Sequence, residues 1–267
     1  MLLRQIIFTS FIFTFLSSLA HTATNEETRV LDSASVIDQL LRIPEQGVPP
    51  RLFSSAYGVA VIPRALKVGF LLGGRYGKGV IVIRQPNGMW SNPAFIKLAG
   101  GSLGFQAGAQ SADIVLVFKT RTSIEGLSSG KITLGADAGV AAGPIGRFAE
   151  AATDLTFSSE VYSYSRSRGL FAGFALQGAN ITMDRTANAT FYGSTAITPE
   201  AIFASSGNAA PESVNTFIQI LSSQTNTLPL GPRASANISV NQFSKSDDNK
   251  ISEVTTFGMN KNPTDDP

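Results

Sequence analysis

Tyr162-Ser163-Tyr164-Ser165-Arg166-Ser167-Arg168 alternates strictly between large aromatic or basic residues and serines. In a strand this spacing sets Tyr162, Tyr164, Arg166 and Arg168 on one face and the serines on the other. Phenol rings leading to guanidinium groups suit a boundary between apolar matter and phosphate, because tyrosine tolerates both phases and arginine forks onto phosphate oxygens. The plainer alternative is a solvated strand end whose arginines pair with Asp154 or Glu160. A second basic group, Arg64, Lys67, Arg75 and Lys78, surrounds the segment Gly73-Gly74-Arg75-Tyr76-Gly77-Lys78-Gly79. Its glycines invite a phosphate-loop reading, but no Ser or Thr follows the lysine and Val80 to Ile83 reads as strand. The segment is therefore predicted to be a tight hairpin.

Other reactive chemistry is scarce. The chain has no cysteine, and its one histidine is His21. Thiol nucleophiles, disulfide scaffolds, zinc knuckles and most histidine-based acid–base or metal mechanisms are thereby excluded. Asp113, Asp137, Glu150, Asp154, Glu160 and Asp184 show neither EF-hand nor paired-carboxylate spacing, so a hydrolase would need a pair assembled by folding. No catalytic residue, metal or cofactor is expected. Asn180, Asn188 and Asn237 head glycosylation sequons, which matter in a eukaryotic host.

The elements that must position these residues follow from the rest of the pattern. Residues 1–20 carry Arg4, an apolar run from Ile6 to Leu16 and Ser18-Leu19-Ala20, the layout of a secretory signal peptide. The run is too short for the roughly 20 apolar residues of a span. After a short segment, residues 21–27, Val30, Leu31, Ala34, Ile37, Leu40 and Leu41 recur at helical spacing and predict an amphipathic helix ending at Pro44 and Gly47. From Tyr57 onward come short runs rich in Val, Ile and Phe: Val59–Ile62, Val68–Leu72, Val80–Arg84, Ala94–Leu98, Ile114–Lys119, Lys131–Leu134, Val161–Arg166, Phe171–Leu176 and Ala189–Tyr192. These predict an α+β fold: a mainly antiparallel, curved or barrel-like sheet with the N-terminal helix and short helices.

Residues 51–205 hold 14 basic and 8 acidic residues and 21 of the 25 glycines, so the positive excess lies in the middle of the chain. That bias suits anionic surfaces and falls short of a nucleic-acid binder. Gly100, Gly104 and Gly108, like Gly135, Gly139 and Gly143, stand four apart; bends or short helices packed on a sheet are expected there in preference to membrane helices. Residues 206–267 read as a polar, flexible tail in which Val214 to Leu221 suits a short helix.

In order along the chain, LFSSAYGVAVIP (52–63), GFLLGGRYGKG (69–79), WSNPAFIKLA (90–99), GGSLGFQAGAQ (100–110), DIVLVF (113–118), LGADAGVAAGPIG (134–146), YSYSRSRGLFAG (162–173) and FYG (191–193) resemble the SYLF lipid-binding domain. The likeness covers residues 28–205 and is most specific in Gln106–Gln110 taken with Ser165–Gly173. That family includes secreted bacterial and eukaryotic actin-associated proteins. The resemblance implies phospholipid binding without catalysis, with a phosphoinositide preference in eukaryotic members. In some of those a basic amphipathic N-terminal stretch contacts lipid; here the corresponding helix carries Asp32 and Asp38 beside Arg29 and Arg42, so that contact is not carried over. With the leader, the resemblance implies an exported bacterial member, periplasmic or secreted, acting in the cell envelope. Its expected partner is an anionic phospholipid surface, met by a basic rim of Arg64, Lys67, Arg75, Lys78, Arg166 and Arg168 with Tyr162 and Tyr164. The alternative is an envelope structural protein that uses its glycine-rich faces for self-association or membrane insertion.

Overall fold

The computed structural model describes residues 24–42, 49–145, 158–167, 170–174, 176–206 and 210–225. The predicted leader, residues 21–23, Arg168 and residues 226–267 of the predicted tail lie outside them.

Thr24 opens helix α1 (Asn25–Leu41). Its hydroxyl accepts from the Glu27 N–H, and the Glu27 carboxylate accepts from the Thr24 N–H, a reciprocal cap that contributes about 1 kcal/mol. Val30, Ala34, Ile37 and Leu40 form the buried stripe that the spacing predicts. A short helix α2 (Pro50–Ser54) follows.

The sheet departs from the predicted series of short strands. Val59–Ile62, Val68–Leu72 and nearly all of Val80–Arg84 are parts of one strand, β1 (Gly58–Ile83). Ala94–Leu98 and all but the last residue of Ile114–Lys119 are the two ends of another, β2 (Ala94–Phe118). The two pair antiparallel from Gly58↔Phe118 to Ile81↔Ala94, and the chain reverses only after Ile83, around Pro86-Asn87-Gly88. The hairpin predicted at Gly73–Gly79 is thus a correction: Gly73 and Gly74 sit in mid-ladder opposite Ser102 and Gly101. Gly100–Gly108, expected as bends or short helices, is likewise strand.

Glycine serves curvature here instead of chain reversal. Gly69 and Gly108 face each other in register with φ of 153° and 146°, a region closed to most L side chains. The register shifts just after Gly69 and again between Ile62 and Ala65, where Arg64 has φ of 50°. Beyond the bend, β1 crosses its own first half so closely that a Cβ on Gly79 would lie 2.0 Å from the Val61 carbonyl oxygen.

The remaining elements are α3 (Thr122–Ser128), β3 (Lys131–Thr133), β4 (Val140–Ala142), β5 (Val161–Ser167), β6 (Leu170–Gly173), β7 (Asn180–Met183), α4 (Arg185–Tyr192), α5 (Pro199–Ala204) and α6 (Glu212–Thr225). The sheet order is β3-β7-β2-β5-β4, with β1 on β2 and β6 on β5. Its strand pairs are antiparallel except β4–β5. The start of β2 carries β7 and its end carries β5, so the sheet curls into the half-barrel of the expected α+β class. Between those two attachments, β1 and β2 form a two-stranded ribbon.

Both faces of the attached regions are buried, which explains runs such as Val59–Ile62 and Ile114–Phe118 that are apolar throughout. Val59, Val61, Val115 and Val117 join α1, α2 and α6 in one core; Ala60, Ile62, Ile114 and Leu116 join α3 and α5 in the other. Two further predictions need correction. Ala189–Tyr192 is helical, because Asp184 accepts from the Ala187 N–H at the start of α4 and Gly193, at φ 67°, ends it. Residues 212–225 are not free tail, since Val214, Phe217 and Leu221 of α6 are fully buried against the first core. Among the described residues no helix is long and apolar enough to cross a membrane.

Candidate functional site

From Pro63 to Ala112 the chain holds six basic residues, Arg64, Lys67, Arg75, Lys78, Arg84 and Lys97, and no acidic one. This span covers the ribbon and most of the β1–β2 hairpin and ends just before Asp113 of β2, so its basic charge is concentrated on one hairpin. Lys78 stands directly opposite Lys97, a repulsive cross-strand pair. Asp184 relieves it by approaching Lys97 Nζ at 3.0 Å. Lys78 is exposed. Arg75 is half-buried, its guanidinium 5.2 Å from the Phe174 ring centre, and burial draws its pKa down. Beside these charges Leu66, Val68 and Tyr76 are 44%, 47% and 48% exposed. The hairpin therefore exposes apolar as well as basic groups.

The predicted basic residues do not all reach that surface uncompensated. The Arg64 guanidinium pairs with Asp32 of α1, and its backbone N–H donates to Asp113 Oδ1 at 2.9 Å. Arg166 approaches the other oxygen of Asp113 at 3.6 Å and lies over Phe171. Arg64 and Arg166, 102 positions apart, are thus joined through one carboxylate. Of the two readings for Arg166, pairing is observed, with Asp113; Glu160 accepts from the Gly139 N–H, and Asp154, like Glu150, lies outside the described residues. Lys67 lies opposite Gln110 on the ribbon. Tyr162 and Tyr164 are 6% and 0% exposed and belong to the core, so the face predicted to present them outward points inward. The Tyr164 hydroxyl donates to the Pro144 carbonyl at 3.0 Å, and burial pushes its pKa up.

The described carboxylates considered for catalysis are spent on structure. Asp137 accepts from the Thr133 N–H, Glu160 from the Gly139 N–H, and Asp184 caps α4. No cluster of metal-ligating side chains occurs among the described residues. Asn188 is 3% exposed and clamps β2, its Oδ1 accepting from the Phe95 N–H and its Nδ2 donating to the Phe95 carbonyl. It is a buried backbone partner and is closed to glycosylation.

Residues 99–224, from the second half of the ribbon to the end of α6, match the family model described as Ysc84: Las17-binding protein actin regulator. That segment is similar to the Ysc84 domain. This is the SYLF family that the motifs resemble. The yeast protein LAS seventeen-binding protein 3 (Saccharomyces cerevisiae) is 43% identical over 152 residues, 56% of this chain and 33% of that one. Protein YSC84 of the same yeast is 43% identical over 152 residues, 56% and 32%. The human SH3 domain-containing YSC84-like protein 1 is 37% identical over 150 residues, 56% and 44%. The Ysc84-domain segment shared with these eukaryotic relatives spans under half of their length.

Proposed function

We propose that the Ysc84-like domain of this chain is a non-enzymatic module that binds anionic phospholipid surfaces through the β1–β2 ribbon. The observation that carries the reading is the basic, acid-free stretch from Pro63 to Ala112 of the hairpin, on which Leu66, Val68 and Tyr76 are also exposed. A basic residue near an anionic bilayer contributes about 1 kcal/mol, and exposed apolar side chains add partition energy at the same interface. Arg64 and Arg166, already paired with Asp32 and Asp113, contribute less than the exposed Lys78. Export to a cell envelope belongs to the same proposal and rests on the leader-like residues 1–20.

The test is flotation of residues 21–267 with neutral vesicles and with vesicles containing anionic phospholipid, at low and high salt. Expected is flotation with anionic vesicles only, lost at high salt and weakened about 30-fold by Lys67→Gln with Lys78→Gln, the equivalent of two charges. Flotation unchanged by salt and by this pair would overturn the ribbon as the contact. The name of the yeast relative, LAS seventeen-binding protein 3, favours a second reading, a protein-docking domain. Absence of flotation under every condition would leave that one standing.

A further inference from the structure

The two sets of alternating pairs along the β1–β2 ribbon differ in kind. In an antiparallel pair, residues directly opposite each other share a side, and successive pairs alternate. One set, Leu66↔Ser111, Val68↔Ala109, Leu72↔Leu103, Gly74↔Gly101 and Tyr76↔Ala99, holds no charged residue. The other includes Lys67↔Gln110 and Arg75↔Gly100. The register shift runs from Gly69↔Gly108 to Leu71↔Gly104, an even number of positions on each strand, so the alternation stays in phase across it. Leu66, Val68 and Tyr76, all of the uncharged set, are exposed. The pair that follows Tyr76↔Ala99 in this set is Lys78↔Lys97. The order apolar residue, tyrosine, lysine suits an element passing from hydrocarbon to headgroup, because a phenol tolerates the boundary and an ammonium group stays with phosphate.

We propose that the uncharged side of the ribbon inserts into the acyl boundary of an anionic bilayer, with Val68 and Leu72 below the headgroups and Lys78 among them. The inference rests on the ribbon reading above and adds depth and orientation to it. The backbone limits the depth. Between Gly100 and Ala112, β2 has ladder partners on β1 alone, so its second edge carries unpaired N–H and C=O groups. Such groups are excluded from the hydrocarbon core, which confines the ribbon to the roughly 5–10 Å reached by interfacial amphipathic helices.

The chain has no cysteine, so single labels can be placed without removing native thiols. Val68→Cys and Leu72→Cys, with Gln110→Cys from the other set, are made in residues 21–267 and labelled with a nitrobenzoxadiazole dye. Each is mixed at low salt with anionic vesicles that carry a nitroxide on the headgroup or in the upper acyl chain, and flotation is measured on the same samples. The labels at 68 and 72 are expected to brighten, shift to the blue and be quenched more by the acyl nitroxide; the label at 110 should be quenched more by the headgroup nitroxide. Unlabelled Val68→Ser with Leu72→Ser, folded by circular dichroism, should float about tenfold more weakly with its salt dependence unchanged. Protein that floats while the labels at 68 and 72 stay aqueous, or match the label at 110, would overturn insertion and leave a purely electrostatic contact. Labels already blue-shifted without vesicles would overturn it in favour of burial against a second copy. Absence of flotation would overturn the ribbon reading itself.

Discussion

Replacing Asp184 by asparagine should destabilise the domain through charge alone. Asp184 is 2% exposed. Its Oδ1 lies 3.0 Å from Lys97 Nζ and 3.3 Å from the Ala187 nitrogen; its Oδ2 lies 3.8 Å from Arg29 Nη1. One carboxylate thus ties α1, β2 and α4 together. Asparagine keeps the size and the capping oxygen but leaves two cations without a counter-charge. Breaking a buried pair from one side costs roughly 3–5 kcal/mol. Lys97, 35% exposed, can turn toward water, whereas Arg29, 14% exposed and held over Phe95, cannot do so as easily. The expected loss for Asp184→Asn is therefore about 2–3 kcal/mol, and Asp184→Ala should cost about 1 kcal/mol more through the lost cap. Urea unfolding of residues 21–267, followed by circular dichroism, measures both. Adding Lys97→Met to Asp184→Asn removes one stranded cation, so the double variant should be more stable than additivity predicts by about 1 kcal/mol. An Asp184→Asn protein within about 0.5 kcal/mol of the parent, or strict additivity with Lys97→Met, would refute the reasoning.

Two further outcomes follow from packing and burial. Gly79→Ala should cost about 3 kcal/mol or more in thermal unfolding, because the new methyl meets backbone, the Val61 oxygen at 2.0 Å and the Ile62 Cα at 2.8 Å. Gly74→Ala, with nothing within 4 Å of its Cβ position, should stay within about 1 kcal/mol; equal effects at the two sites would contradict the crossing of β1 over itself. Burial pushes the phenols of Tyr164 and Tyr192 up, so both remain neutral in the folded state where the unfolded chain ionises near pH 10. Their contribution is complete below that pH and is lost as pH rises above it, by up to about 2.7 kcal/mol per pH unit for the pair. Tyr164→Phe with Tyr192→Phe should flatten the decline of unfolding free energy above about pH 10 relative to the parent, and an unchanged slope would show that the rings are not held neutral.

The class of fold was legible where burial and sequence period agree. The α1 stripe at Val30, Ala34, Ile37 and Leu40 is a one-sided helix pattern, although the helix starts at Asn25, within the segment 21–27 that the sequence pattern sets apart from it. The strand ends Val59–Ile62 and Ile114–Phe118 read as strands because both faces are covered. What failed was punctuation. Gly73-Gly74 permits a turn, yet the ladder partners that keep it extended, Ser102 and Gly101, lie about thirty residues away, beyond the reach of local pattern. The same limit applied at the site. Alternation in Tyr162–Ser167 correctly indicated a strand, but which face meets the core is decided by Ala141, Val115 and Val117, from other strands. The basic count of the hairpin was readable; the pairing of Arg64 with Asp32 of α1, and of Arg166 on β5 with Asp113 on β2, was not, because the fold brings these partners together.

The extent of the domain follows from the same pairing. The family match begins at residue 99, inside β2. From Ala99 onward every residue of β2 up to Phe118 that has a β1 partner finds it in Gly58–Tyr76, so the matched segment cannot satisfy its own backbone ladder without β1. Nor can it close its core: Val59, Val61, Val80 and Val82 are fully buried with Phe95 against α1 and α6. A fragment starting at residue 99 would expose those partners and an unpaired edge along β2. The matched boundary at residue 224, by contrast, coincides with the end of α6, whose Phe217 and Leu221 complete the first core. Within the described residues, the folded unit therefore runs from the Thr24 cap to Thr225, and the basic ribbon is shaped by residues from both sides of the family boundary.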